Sequence, residues 1–325
     1  MSADLPSLDP DWISSVNDRV LIWFVDNGRD LPWRHTRDPY RVLVAEVMLQ
    51  QIQVSRAVPF YLAFLERFPT VQALAEAPIA DVIRVWADLG RYRRIAFLHR
   101  AAREIVERFG GVVPSTIEEL RSLPGVGPYT AGAVVCFAYE QDEGFVDTNV
   151  RRVIGRLVLG TEPTDSAGHR TVDELARRLV PLGRGWDWNQ GLLDFGALHC
   201  TARRPKCDGC PLASMCAAFP VESTQETSST KGKAAAERFE GSNRFYRGRI
   251  LATLRERSMG ENGDGISLLE LGSTVKPEFE STDLPWLYGV VSGLAKDGLA
   301  VIAEDAAVYD AGNTGEPDHL SVRLP

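Results

Sequence analysis

Leu123-Pro-Gly-Val-Gly-Pro-Tyr-Thr130, the apolar run that continues to Tyr139, and Val146-Asp147-Thr-Asn149 beyond it decide the fold of this chain. Gly125 and Gly127 stand two apart between apolar segments, so they can turn the backbone sharply and leave amide groups open at the start of the next helix. A turn of that kind can hold a phosphate. Residues 130–139 are almost wholly apolar, which predicts a buried helix that fixes where Asp147 emerges. Taken alone, a Gly-X-Gly turn serves equally well as a plain connector, so its surroundings carry the argument.

Upstream, Trp12, Ile13, Val16, Val20, Leu21 and Phe24 recur at helical spacing and predict a helix over 12–27, closed near Gly28. A Pro-interrupted loop, 29–34, leads into a second helical stretch over 39–54. Glu46 sits there among Leu43, Val44, Val47, Met48 and Leu49. A glutamate ordinarily faces water. Here Gln50, Gln51 and Gln53 already supply polar surface, so the mix points to a helix lining a polar cleft. Further helices are predicted over 59–67, 71–75, 79–89, 96–109 and 117–122, and after Asp147 over 150–159, 172–179 and 188–198. Strand-like alternation is scarce in this part of the chain.

A length of 325 residues predicts about two domains, and 44% hydrophobic content is ample for buried cores. No stretch approaches the roughly 18 uninterrupted apolar residues of a membrane span, and Met1-Ser-Ala-Asp-Leu-Pro lacks the pattern of a signal peptide. The expectation is a cytoplasmic monomer. The net charge of −8 runs against the basic footprint of nucleic-acid binders, so local clusters matter more than the total. Arg91-Tyr-Arg93-Arg94, Arg151-Arg152 and Arg203-Arg204-Pro-Lys206 are the candidates for phosphate contact.

Cys200, Cys207, Cys210 and Cys216 are spaced C-x6-C-x2-C-x5-C. So dense a set in a cytoplasmic chain reads as a metal site, and four thiolates suit either zinc or an iron–sulfur cluster. Cys136, within the apolar run, has no neighbouring partner and reads as core.

With these pieces assembled, the hairpin, its trailing Asp147 and the four cysteines resemble the helix-hairpin-helix, Gly-Pro-Asp superfamily of endonuclease III-like DNA glycosylases. Leu31-Pro-Trp-Arg34 followed by Glu46-Val-Met-Leu-Gln-Gln51 resembles, within it, the MutY group of adenine glycosylases, with Ile52 where that group usually has Thr. The resemblance covers about 12–220 and implies a mostly α, two-subdomain glycosylase fold with a [4Fe-4S] cluster on the four cysteines. It also implies double-stranded DNA containing a mismatch or an oxidised guanine as partner, with Gly125, Val126, Gly127, Thr130 and Arg203 on the DNA backbone.

By the same resemblance Glu46 is the general acid, and Asp147 stabilises or traps the sugar cation, oriented by Asn149. Arg34 lies near the base, and Leu49 and Gln51 are the wedge that fills the gap left by an everted nucleotide. Tyr129 stands where strand-cleaving relatives carry Lys. A phenol cannot form a Schiff base, which implies a monofunctional enzyme. Arg91 stands where MutY proteins usually have the first of two adjacent Tyr.

Residues 221–240 are polar and read as a linker. Beyond it, amphipathic 245–257, apolar 268–271, helical 284–296 and short apolar pieces at 300–302, 307–309 and 320–324 predict a small winged-helix-like α+β domain over 241–325. It does not match the β-rich, 8-oxoguanine-reading domain that usually ends MutY proteins. The leading expectation is excision of adenine opposite 8-oxoguanine or guanine. A thymine or uracil mismatch glycosylase on the same scaffold, and a DNA-binding regulator without catalysis, are the two other readings.

Overall fold

A computed structural model describes residues 7–219, 239–258, 265–304 and 320–325. The segments 221–238 of the expected linker and 307–309 lie outside the described residues. Helices dominate, and the chain divides into two compact units that interleave along the sequence, 1–46 with 113–229 and 47–112 with 230–325. The C-terminal segment thus groups with an internal stretch, and no single cut at 220 separates the units.

In the first unit, Asp9 caps the helix Pro10–Asn27 by accepting the Asp11 N–H at 2.8 Å. That helix buries Val16 and Val20 in one core with Val150 and Ile154, Leu175, and Trp188 and Leu192. Thr116 caps the short helix Ile117–Arg121, the chain turns through Gly125 at φ 77°, and Pro128–Tyr139 follows, with Pro128 in its first turn. Every residue from Thr130 to Ala138 is buried, as the apolar run requires. Thr148–Ile154 and Gly185–Asp194 each continue into a π-helical turn, Gly155–Leu159 and Phe195–His199.

In the second unit, the helix expected to run to 54 stops at Leu49, and the next begins at Val54. Arg94 is the physical reason. Its Nη1 donates to the carbonyls of Val47, Met48 and Gln50 at 2.9, 2.9 and 2.7 Å, satisfying acceptors that a continuing helix would otherwise use. Gln51 then turns back through a left-handed φ of 59°.

The C-terminal elements run Asn243–Arg257, β1 (Ile266–Ser267), Leu268–Val275, Leu284–Lys296, β2 (Val301–Glu304) and β3 (Leu320–Arg323), the order of a winged helix. The sheet order is β1-β3-β2, all antiparallel, with buried Val322 opposite both Ile266 and Ile302. The apolar piece at 268–271 proves to be the first turn of an eight-residue helix capped by Ser267. No helix among the described residues is long and apolar enough to cross a membrane.

Candidate active site and thiol loop

Glu46 projects from a helix whose residues 42–48 are all buried, so its carboxyl enters the interior with almost no water, at 4% exposure. Burial pushes its pKa up to about 7, with the nearby Asp147 charge adding to the push; a hydrogen bond from Tyr129 and the charge of Arg34 act against it. Oε2 has no hydrogen-bond partner. A buried carboxyl with one orphan oxygen is far cheaper to keep neutral than ionised.

Tyr129 emerges from the second position of the hairpin helix, braced edge-on against Phe145 at 5.3 Å. Burial, then the charges of Glu46 and Asp147, hold its phenol well above the ordinary range, so it is a donor.

Asp147 is the N-cap of Thr148–Ile154. Its Oδ1 accepts the Val150 N–H at 2.7 Å and its Oδ2 accepts Asn149 Nδ2 at 3.0 Å. Burial raises its pKa too, but the Val150 and Asn149 donors and the Arg152 charge work against the rise. Two carboxyls that feel each other's charge do not ionise equally. Asp147 has several donors and Glu46 one, so the pair's proton rests on Glu46.

Asn149 is itself held. Its Oδ1 accepts Arg152 Nη2 at 2.8 Å, and the same guanidinium donates to the carbonyls of Gly196 at 2.7 Å and Cys200 at 2.8 Å. Arg152, expected on the surface as a phosphate contact, is instead buried, as is Arg94. Sequence reasoning missed this role. The four-residue spacing of Arg152 and Arg156, which puts both on one helical face, was the available signal.

Arg34, whose charge acts on Glu46, is held within the protein: it donates through Nη1 to Asp194 Oδ2 at 2.8 Å and through Nε to Gln190 at 2.6 Å. Asp194, which the sequence did not single out, is fully buried and also pairs with Arg29 at 2.5 Å. Burial pushes this carboxyl up, but the donors on Arg34 and Arg29 outweigh it and leave its pKa below the usual range. Asp194→Ala is expected to cost about 3–5 kcal/mol, because it strands Arg34 as an uncompensated buried charge; equilibrium urea unfolding measures this, and a loss under about 1 kcal/mol would contradict it.

The Gly127 position is open, since a Cβ there would meet nothing within 4 Å. The Val126 N–H is spent on the Leu123 carbonyl at 3.2 Å. Thr130, in the first turn of the hairpin helix, is buried at 2% exposure. Leu49 is half-buried and Gln51 exposed at the turn that ends their helix, and Arg203 is exposed on the thiol loop.

Cys200, Cys207, Cys210 and Cys216 line one pocket with Val153, Leu157, Phe195 and Leu212. The loop is stitched to the first π-turn, Ala217 and Ala218 donating to the Leu157 and Arg156 carbonyls at 3.0 Å each. Burial, and then the neighbouring cysteines, push the Cys216 and Cys210 thiols up. Four thiolates this crowded in an apolar pocket need cationic metal between them, and Arg156 Nη1 lies 3.6 Å from Cys200 Sγ to offset residual negative charge. Cys136 is buried core, its thiol pushed up to about 12 chiefly by burial.

The family model described as HhH-GPD superfamily base excision DNA repair protein matches residues 44–178, and that described as iron-sulfur binding domain of endonuclease III matches 200–216. Fold and site therefore define a helix-hairpin-helix base-excision repair protein whose four cysteines bind an iron–sulfur cluster. An adenine DNA glycosylase of Mycolicibacterium smegmatis is 36% identical over 92% of this chain and 97% of its own length. The chain belongs to the adenine DNA glycosylase family.

The rat adenine DNA glycosylase is 41% identical over 63% of this chain, which spans only 42% of the rat protein. Among solved structures, a thermostable thymine-DNA glycosylase is similar with a TM-score of 0.61 and 32% identity, covering 64% of this chain and 97% of that one.

Proposed function

We propose that the protein hydrolyses the N-glycosidic bond of adenine paired with 8-oxoguanine or guanine in duplex DNA, through residues 12–220, and that the 241–325 segment adds to the DNA-binding surface. The observation that carries this reading is an unequal pair of carboxyls: burial pushes the pKa of Glu46 up to about 7 and leaves Oε2 without a partner, whereas Val150 and Asn149 donate to Asp147 and favour its ionised form. Base removal needs that division of labour. The C1′–N9 bond breaks with its electrons going to the base, so a proton must reach the purine while the sugar becomes cationic.

In this reading Glu46 protonates adenine at N7 through its unpartnered oxygen, while Tyr129 holds the other. Asp147 stabilises the oxocarbenium-like sugar, and water then completes the abasic product. Asn149 and Arg152 position Asp147, and Arg34, tied to Asp194, forms fixed wall rather than a mobile ligand. Leu49 and Gln51 fill the gap behind the everted nucleotide. The turn at Gly125, Val126 and Gly127, together with Arg203, takes backbone phosphates.

Extrusion costs a few kcal/mol, which contacts to a bent backbone offset. A [4Fe-4S] cluster on the four cysteines supplies the rigidity that presents Arg203 and carries the Cys200 carbonyl to Arg152.

A second reading, excision of thymine or uracil from mismatches with guanine, is favoured by the likeness to the thymine-DNA glycosylase. A single-turnover panel of A·8-oxoG, A·G, T·G and U·G duplexes separates the two: fast release from the first two is expected, and release confined to T·G or U·G would overturn the adenine assignment. Because Tyr129 has no amine, borohydride treatment during turnover should trap no covalent adduct.

A further inference from the structure

Within the unit formed by 47–112 and 230–325, a groove of about 1060 Å³ is lined by seven arginines and a single acid, Asp297. Its size exceeds the roughly 300–1,000 Å³ of small-molecule sites. Such a concentration runs against the acidic composition of the chain, net −8, and calls for a cause. Asp297 is already engaged, by Arg247 at 2.6 Å and Arg93 at 3.3 Å. Arg94 is turned inward onto backbone carbonyls.

Two arginines differ from these. Arg91 and Arg244 are both exposed, and neither has a carboxylate partner among the described residues. Arg244 lies over the Phe239 ring at 5.4 Å, in the first turn of Asn243–Arg257, where the helix amides add positive field. The two guanidiniums feel each other: after burial, the Arg244 charge is what lowers the pKa of Arg91. Like charges held together without a carboxylate partner of their own raise the energy of the free protein, and an anion placed between them recovers that cost.

The backbone is strained at the same place. Of the four non-glycine residues with left-handed φ among those described, Gln51 at 59° and Arg91 at 50° both line this groove. Strain of this kind persists where surrounding structure holds a residue for a purpose.

We propose that Arg91 and Arg244 form a two-pronged clamp on a DNA backbone phosphate beside the Gln51 turn, so that the winged-helix-like segment completes the grip on the duplex. The occupant is a polyanion and not a free small anion, because the groove is open and long and offers exposed cations with aromatic faces at Phe239 and Phe245 rather than an enclosed polar cage. Arg91 thereby replaces a stacking aromatic with an electrostatic contact, and its partner comes from the C-terminal segment.

The clamp rests on the proposed DNA-repair reading, and its test uses the full chain. Fluorescence anisotropy with a duplex carrying an uncleavable abasic-site analogue measures affinity against salt concentration. Arg91→Gln and Arg244→Gln are each expected to lower the log–log salt slope by about 0.9 and to weaken binding about tenfold. Arg103→Gln, on an exposed arginine paired with Glu107 at 3.9 Å, serves as the control and should keep the wild-type slope.

Unchanged slopes in both groove variants would overturn the clamp. So would variants that lose only sensitivity to added inorganic phosphate, which marks a small-anion site. Wild-type excision is scored separately: reduced slopes without any base release would sink the glycosylase reading and leave the clamp standing, whereas base release with unchanged slopes does the reverse.

Discussion

Glu46→Gln is expected to lower single-turnover adenine release by about 10²–10⁴-fold, the range a positioned general acid supplies. The substitution preserves shape and the Tyr129 contact but removes the transferable proton. The pH profile gives a sharper signature. The acid works only while protonated, and its pKa is pushed to about 7, so release should be level below that pH and fall about tenfold per unit above it.

In Glu46→Gln this alkaline fall should vanish from whatever rate remains. Asp147→Asn should be at least as damaging, and the double variant no worse than the poorer single one, because the two groups act as a unit.

Linkage gives the same pair a second readout. Glu46 holds its proton more tightly folded than at the ordinary value of 4.5, so its stabilising contribution is complete below that pH and is lost as pH rises through about 7. Above pH 7, Glu46→Gln should therefore melt higher than wild type while excising far less. A variant that melts lower and retains near-native excision would remove Glu46 from the chemistry.

Cys207→Ala is the second large effect. With one thiolate gone, the purified chain should carry less than a full complement of iron and a lower melting temperature, since cluster binding contributes directly to folding in such loops. Excision should fall on the order of 100-fold although Cys207 is remote in sequence from both carboxyls. The route is physical. Arg152 spans the Asn149 amide and the Cys200 carbonyl, and Arg203 rides on the same loop, so loosening the loop misplaces Asp147 and removes a phosphate contact together. Iron analysis and circular dichroism read the loop independently of activity. An iron-free variant with native excision would show that the loop is a passive appendage.

Much of this protein is written in short stretches of sequence. Gly125 specifies the hairpin because a residue without Cβ enters its left-handed turn freely, the thiol spacing specifies the cluster loop, and a glutamate amid Val44, Val47 and Met48 marks a helix lining a polar cleft. Each signal is local, carried by conformational preference or by neighbours within a few residues.

What only the tertiary structure decided is which charges turn inward. Arg34 and Asp194 lie 160 residues apart in the chain yet share one buried ion pair, and Arg94 and Arg152, in clusters that read as surface, serve carbonyls in the interior. Nor does sequence disclose that Arg91 and Arg244 line one groove. The reason is that a charged side chain has no intrinsic preference for a partner. Its role is set by whichever acceptors burial brings within reach, and that is known only once the chain has closed on itself.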